Sequence, residues 1–403
     1  MSNLSQDPIH TYLDITVSNN NHNASNSNPV PVVFSSRRDA DYLTNPSEYL
    51  MSVIRWNLEL RLPQLVPQLD FLSPNFYVPN EGYQTIYNVG IEFYSIVNNV
   101  KTASIVEELP IIFISQNNFK IPNPQPNNMI QVYDDPYFYV DSVQYFMALV
   151  NETIKKVYQN AITAWNAVHT PITITAKTSP YFLYNNDGNF SLFALPNFLT
   201  HDSRVVQPDG FYMNLFFNSS LYTLFNGFSA SIQSFINTLN NYRIQFISEN
   251  QTSSITLQGD NEATTFLYMI SEYPCVPSWS PVSSIIFQSN NIPVEPTNST
   301  PCNIVGGMQG SVSSNNNLNL SPIITDFNVN FQNGTEGRQI TYYASPSEYR
   351  FFDLNSNRPI SDINIIAMWK DKLTGAQHNL YLFSGCGGSM KILFRKKTYF
   401  LGY

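Results

Sequence analysis

Two short stretches hold the side chains best placed for chemistry. In "SGCGGS", Cys386 sits among glycines, and His378 lies upstream across an intervening strand. A thiol becomes a nucleophile when a neighbouring base lowers its pKa, so this pair is the one candidate for covalent catalysis. The plainer reading makes Gly385, Gly387 and Gly388 a loop between two strands, with Cys386 as a small filler. In "YDDPYFYVD", Asp134, Asp135 and Asp141 fall close together. Clustered carboxylates can hold a hard cation, but Asp141 also stands where a helix would be capped, and the other two flank a proline turn. Elsewhere the histidines (10, 22, 169, 201, 378) are scattered without HExxH spacing. No GxxxxGK[ST] loop, strand-borne GxGxxG or GxSxG elbow occurs. Cys275, Cys302 and Cys386 show neither metal spacing nor a disulfide framework. The expectation is a chain with no catalytic residue, no cofactor and no metal. A hydrolase would have to rest on Cys386 or the Asp134 cluster.

Composition points away from an enzyme as well. Apolar residues make up 43% of 403 residues, enough for a sizeable core, while charged residues make up only 12%, about half the usual share. A monomer normally keeps itself soluble with surface charge, whereas a neutral, aromatic, amide-rich surface suits a subunit packed against copies of itself. The net charge of −9 is unevenly spread. From Arg350 onward, eight Lys or Arg face three Asp, a balance of +5 that leaves −14 for the rest. Such an edge could face packaged nucleic acid or an acidic partner, or be a solvated strand edge whose lysines discourage stray pairing. "MSNLSQDPIH" lacks a basic start followed by an apolar run, so no secretory signal is expected. No apolar stretch is long enough for a membrane span.

The elements that would position these residues are mostly strands: short apolar runs punctuated by Asn, Pro and Gly. "HTYLDITVSN", "VPVVFSS", "YLMSVIRWNLELRL", "YNVGIEFYSIV" and "IVEELPIIFIS" read as strands in the first part. "SITLQ", "TTFLYMISEY", "VSSIIFQS", "ITDFNVNFQNG", "RQITYYAS" and "YRFFDL" follow later. "YFLYNNDGNFSLF" reads as a hairpin with a tight Asn-Asp-Gly turn. Residues 290–319 read as a long exposed loop. Two segments carry helical spacing. From Asp141 to Val168 apolar residues recur every three or four positions, with Asp141 and Gln144 forming a capping-box pattern and Thr170-Pro171 as the stop. Ser219 to Leu239 repeats the spacing, with Gly227 inside it. The expected division is a β-sandwich over 1–250, with helices near 141–168 and 219–239, followed by a β-rich jelly-roll portion over 251–403.

The closing stretch "INIIAMWKDKLTGAQHNLYLFSGCGGSMKILFRKK" has apolar side chains on both strand faces. Ile363, Ile365 and Ala367 share one face and Asn364, Ile366 and Met368 the other; Ile392 and Phe394 oppose Lys391, Leu393 and Arg395. One set faces the second sheet of a sandwich. The other needs a cover, which could be a helix, a loop or a neighbouring subunit; the expectation is a neighbour or the Asp141 helix, with "KDKLTGAQ" as an exposed turn. Ile366, Met368 and Leu393 are therefore candidate subunit-interface residues. Lys391, Arg395, Lys396 and Lys397 are candidates to face a partner or nucleic acid.

"NPSEYLMSVIRWNLEL", "WSPVSSIIFQSNNIPV", "SPSEYRFFDLNSNRPISDINIIAMWKD" and "MKILFRKK" resemble stretches of penton or minor capsid proteins of small icosahedral DNA viruses such as polinton-like viruses and virophages. The resemblance covers about a third of the chain. It implies a mainly β, jelly-roll type antiparallel β-sandwich, with one or two jelly rolls and two helical segments. It also implies a virion subunit that assembles with copies of itself, as pentamer or trimer, and with other capsid proteins. A receptor- or carbohydrate-binding spike or fibre is the alternative, since exposed Tyr, Trp and Asn can stack on and hydrogen-bond sugars.

Overall fold

A computed structural model describes residues 9–20, 30–59, 62, 64–65, 67–70, 72–78, 82–113, 140, 142–169, 179–184, 190–194, 209–236, 241–247, 253–258, 263–294, 297–299, 304–305, 308–309, 319–329, 339–343, 350–372 and 377–397. In chain order the first strands are β1 (His10–Ser18), β2 (Val33–Arg37) and β3 (Tyr49–Glu59). Next come β4 (Gly82–Val97), β5 (Val100–Phe113) and the helix α1 (Val143–Val168). Then follow β6 (Tyr181–Tyr184), β7 (Phe190–Ala194), β8 (Gly210–Asn218), β9 (Ala230–Ile236), β10 (Asn241–Phe246), β11 (Ser253–Gln258) and β12 (Ala263–Ile270). The last group is β13 (Val282–Gln288), β14 (Ile323–Asn328), β15 (Gln339–Tyr343), β16 (Asp362–Asp371) and β17 (Gly387–Lys396).

Eight of these strands form one antiparallel sandwich. One sheet runs β1-β17-β3-β15; the other has β16 between β2 and β13, with β14 beyond β13. Counted along the sandwich, the orders are 1-8-3-6 and 2-7-4-5, the two interlocked Greek keys of a single jelly roll. Alternation decides which faces meet. Leu13 and Ile15, Met390, Ile392 and Phe394, and Met51, Val53, Trp56 and Leu58 point inward from the first sheet. Ile363, Ile365, Ala367 and Trp369, with Ile285 and Phe287, point inward from the second. Trp56 anchors the contact, its ring 5.3 Å from Phe287 and 5.6 Å from Phe327. Each such side chain contributes roughly 1.5–3 kcal/mol by leaving water.

A second unit is inserted between β3 and β13. Its sheets run β5-β4-β8-β10-β9 and β11-β12-β7-β6, and α1 packs against β4, β5 and β6. The helix buries Val143, Met147, Val150, Ile154, Val157, Ala161 and Trp165, the expected stripe, although Val168 at its end is exposed. Asn98 and Asn99, both at positive φ (54° and 60°), make the two-residue turn joining β4 to β5.

Several expectations need correction. The cores divide the chain discontinuously, not at residue 250. One gathers Leu13–Leu62 with Val282–Phe394, the other Leu65–Trp279, because both ends of the chain are needed to complete the first sheet. The helix expected over Ser219–Leu239 lasts only through Ser219–Tyr222 and a 3-10 turn at Thr223–Phe225. At Gly227 a Cβ would come 2.8 Å from the Tyr273 carbonyl, and beyond this close approach the chain pairs with β10 as β9. Edge pairing there overrides the helical spacing. The cap of α1 is Ser142, whose side chain accepts the Tyr145 N–H; Asp141 lies outside the described residues, as do Thr170-Pro171 and the turns at 185–189 and 373–376. β6 and β7 do pair as the expected hairpin. Within 290–319, short pairs replace part of the expected loop, Thr297–Ser299 with Asn319–Ser321 and Ile304–Val305 with Met308–Gln309.

On the face of the β4–β8 sheet away from α1, Glu92 is buried. It accepts hydrogen bonds from Lys101, Ser104 and Asn214, and Asn214 in turn accepts from Gln245. Burial alone would raise the Glu92 pKa, but these donors and the Lys101 charge outweigh it and hold it below the usual range. A depressed carboxylate stabilises the fold above its unfolded pKa, and that stabilisation is lost as the pH falls through the folded value. Two outcomes are expected. Glu92→Gln lowers stability at neutral pH by about 1–3 kcal/mol and flattens the acid arm of a stability–pH curve below about pH 4; an unchanged acid arm would contradict the network. In scanning calorimetry, Trp56→Ala and Trp165→Ala each cost about 3–5 kcal/mol and move different transitions, since the two residues belong to separate cores. A single transition moved alike by both would show that the cores unfold as one.

Candidate assembly surface

The closing strands β16 and β17 occupy central positions, one in each sheet of the sandwich. Their inward side chains meet as alternation required, so the question becomes what the outward sets do. On β16, Ile366 and Met368 are half-buried: the strand packs between Gln288 and Val33 at Ile366, and between Ile286 and Asn379 at Met368. These two remain available. Leu393 does not. It is only 3% exposed, flanked by Tyr12 on β1 and Ser52 on β3, so the chain itself seals the position proposed for a neighbour. The Asp141 helix is also ruled out as the cover, because α1 belongs to the core of the inserted unit.

The four candidate cations are mostly engaged within the chain. Lys396 Nζ lies 3.2 Å from Glu48, whose pKa is held down first by the Lys396 hydrogen bond and then by the Asn45 amide. Lys397 Nζ lies 2.6 Å from Asp353 and donates to the Ser47 carbonyl. Lys391 stands in register between Asp14 and Arg55, which bridge each other at 2.7 Å, and its ammonium rests 5.3 Å from the Tyr12 ring. The Arg395 guanidinium sits 5.7 Å from the Phe351 ring, within cation–π range. Nearby, Arg350 pairs with Asp326 at 3.2 Å. The basic C-terminal edge is thus a set of short-range matches. Such exposed pairs add little stability individually, but they leave few free charges.

The chemical candidates separate. His378 stacks on Trp369 (4.5 Å between ring centres) in the second sheet. Cys386 leads into β17 in the first sheet, its N–H donating to the Phe383 carbonyl and its carbonyl accepting from Asn19. It packs against the sandwich core as the small filler expected. Gly388 is required next to it, since a Cβ there would meet the Leu58 side chain at 2.5 Å and the Asn57 carbonyl at 2.7 Å. Asp134 and Asp135 lie outside the described residues with Asp141. Among the described residues no three His, Cys, Asp or Glu side chains are placed to hold a metal, and no helix is long and apolar enough to cross a membrane.

Reading the C-terminal segment in isolation misses the N-terminal half of this surface. Tyr12, Asp14, Glu48 and Arg55 complete it. The alternation of "HTYLDITVS" does place Tyr12, Asp14 and Thr16 on one face, but nothing in it names β17 as the partner.

Known proteins share this architecture. A solved structure of the Sputnik virophage, obtained by electron cryomicroscopy, contains a chain that superposes with a TM-score of 0.70 at 23% identity, covering 97% of this chain and 99% of that one. The crystal structure of the mavirus penton protein gives a TM-score of 0.57 at 14% identity, over 96% and 99%. At these identities both carry the fold. In sequence, protein V18 of Sputnik virophage is 26% identical over 182 residues, 44% of this chain and 93% of V18. Structural protein V19 of the same virus is 26% identical over 138 residues, 33% of this chain and 57% of V19. The model of the Sputnik minor capsid protein V18/19 family matches residues 11–396, and the chain belongs to that family of structural capsid proteins, not enzymes.

Proposed function

We propose that this capsid protein is a ring-forming subunit, five copies closing around a symmetry axis and abutting other capsid proteins. The strand order 1-8-3-6 over 2-7-4-5 carries the reading, because among the described residues it makes one jelly roll, and the sheets of the inserted unit do not repeat that order. A ring of single wedges closes by cyclic symmetry, with the same two unlike surfaces meeting at every contact. The low charge fits surfaces that are covered in the particle.

In this reading Ile366 and Met368, on the outward face of β16, contact the neighbouring subunit, while Lys391 and Arg395 point outward from the first sheet, on the opposite face of the sandwich. Packaged nucleic acid gains no support from the cations, since Lys396 and Lys397 are already matched by Glu48 and Asp353.

Two measurements test this. Light scattering coupled to size-exclusion chromatography should show closed rings for the natural chain. The paired change Ile366→Asp with Met368→Asp should leave monomers, while costing the isolated chain no more than about 1 kcal/mol each. Rings that persist in the double variant would remove β16 from the interface. In titrations with duplex DNA, binding should be negligible near physiological salt. A steep loss of affinity with salt, about −0.9 in log–log slope per phosphate contact, would restore the nucleic-acid reading.

A further inference from the structure

The first sheet ends in β1, nine residues long, and its hydrogen-bonding pattern can be read residue by residue. The Lys396 N–H donates to the Ile9 carbonyl and the Asn19 N–H to the Cys386 carbonyl. With the register His10↔Arg395 through Ser18↔Gly387, the odd-numbered residues of β1 bond to β17. The N–H and C=O groups of His10, Tyr12, Asp14, Thr16 and Ser18 therefore point away from the sheet. Among the described residues nothing else bonds to them.

An open edge is normally blunted with Lys, Pro, charge or a bulge. The other long terminal strand, β5, carries Lys101, Glu107, Glu108 and Pro110. β1, "HTYLDITVS", has no Lys and no Pro, and its single carboxylate, Asp14, is occupied by Arg55. It is rich in β-branched and aromatic residues, and Ile9 and Tyr12 beside the edge are 60% and 57% exposed. Uncharged edges in the inserted unit, β9 and β11, are shorter. The opposite end of the same sheet is β15, "QITYY", also without charge or proline.

We infer that β1 of one copy pairs edge to edge with β15 of the next, extending the first sheet from subunit to subunit. The directions agree. Successive antiparallel pairings make β1 and β15 antiparallel within the chain, and rotation about an axis running along the strands preserves each strand's direction. The neighbour's β15 therefore arrives antiparallel to β1. The contact joins unlike edges and so closes a ring, not a two-fold dimer. It rests on the self-assembling capsid reading and names the edges that assembly would use.

Hydrogen exchange resolved to single amides tests the pairing. In the monomer, Thr11, Leu13, Ile15 and Val17 should exchange slowly, and Tyr12, Asp14, Thr16 and Ser18 fast. In the assembled ring the second set should slow by at least about 100-fold, together with amides of β15. Thr16→Pro removes an outward N–H without losing a ladder bond, and Thr16→Lys adds an edge charge. Each should lower the assembled fraction tenfold or more and leave the monomer's thermal midpoint within about 3 °C. Rings that form while the outward amides stay fast would overturn the edge pairing and leave the capsid reading standing, as would protection of β1 without β15. A natural chain that stays monomeric at high concentration would overturn both.

Discussion

The structure depends on a pairing between the two ends of the chain. β17 lies between β1 and β3, and the Asn19 side chain donates to the Leu382 carbonyl across 363 residues of sequence. Without that closure the first sheet is a set of fragments, and the inward faces of β2, β13 and β16 have nothing to cover them. Loop-closure entropy grows only slowly with length, so the inserted unit can be large without much cost to the sandwich. It need only leave after Glu59 and return before Val282 at neighbouring points. At the return, Lys372 donates its backbone N–H to the Pro281 carbonyl and its ammonium to the Ser278 carbonyl, tying the end of β16 to the start of β13.

The same closure explains what could and could not be read from the sequence. Period-two alternation marks strands locally, so β1, β3, β13, β16 and β17 were legible, as was the buried stripe of α1 from Val143 to Trp165. The assignment of Ile363, Ile365 and Ala367 to one face and Ile366 and Met368 to the other was legible for the same reason. Partners were not, because nothing in "HTYLDITVS" specifies "GGSMKILFRK" against any other strand of similar pattern. A division of the chain at residue 250 followed from reading neighbours in sequence as neighbours in space. The Ser219–Leu239 helix failed for a related reason: Leu221, Phe225, Phe228 and Ile232 fit helical spacing, but Phe228 is buried and Ile232 exposed because the backbone has turned into a strand beyond Gly227.

Leu393 shows the limit of counting apolar faces. Its outward position implied an external cover, yet within the single chain Leu393 is already only 3% exposed. Ser52, beside it in register on the same face, is fully buried too, so the chain covers this part of the outward face without a neighbour. Ile366 and Met368 differ because their neighbours leave part of each side chain accessible.

The charge distribution follows the same logic of local matching. A +5 balance after Arg350 suggested a basic field, but sequence position is a poor guide to spatial charge in a fold whose ends interleave. Glu48, from the part of the chain counted at −14, lies beside Lys396, and Asp353, from within the C-terminal segment itself, lies beside Lys397, so two of the terminal cations meet an opposite charge at short range. At separations of a few ångströms these pairs cancel before their field extends a Debye length of about 8 Å. Beside these pairs the outward groups the structure describes include the β1 backbone edge and the half-covered side chains of Ile366 and Met368. Contacts of that kind depend on geometry more than on ionic strength. A subunit that must meet the same neighbours in the same orientation around a ring is well served by them, because a strand edge accepts a partner only in a defined direction and register.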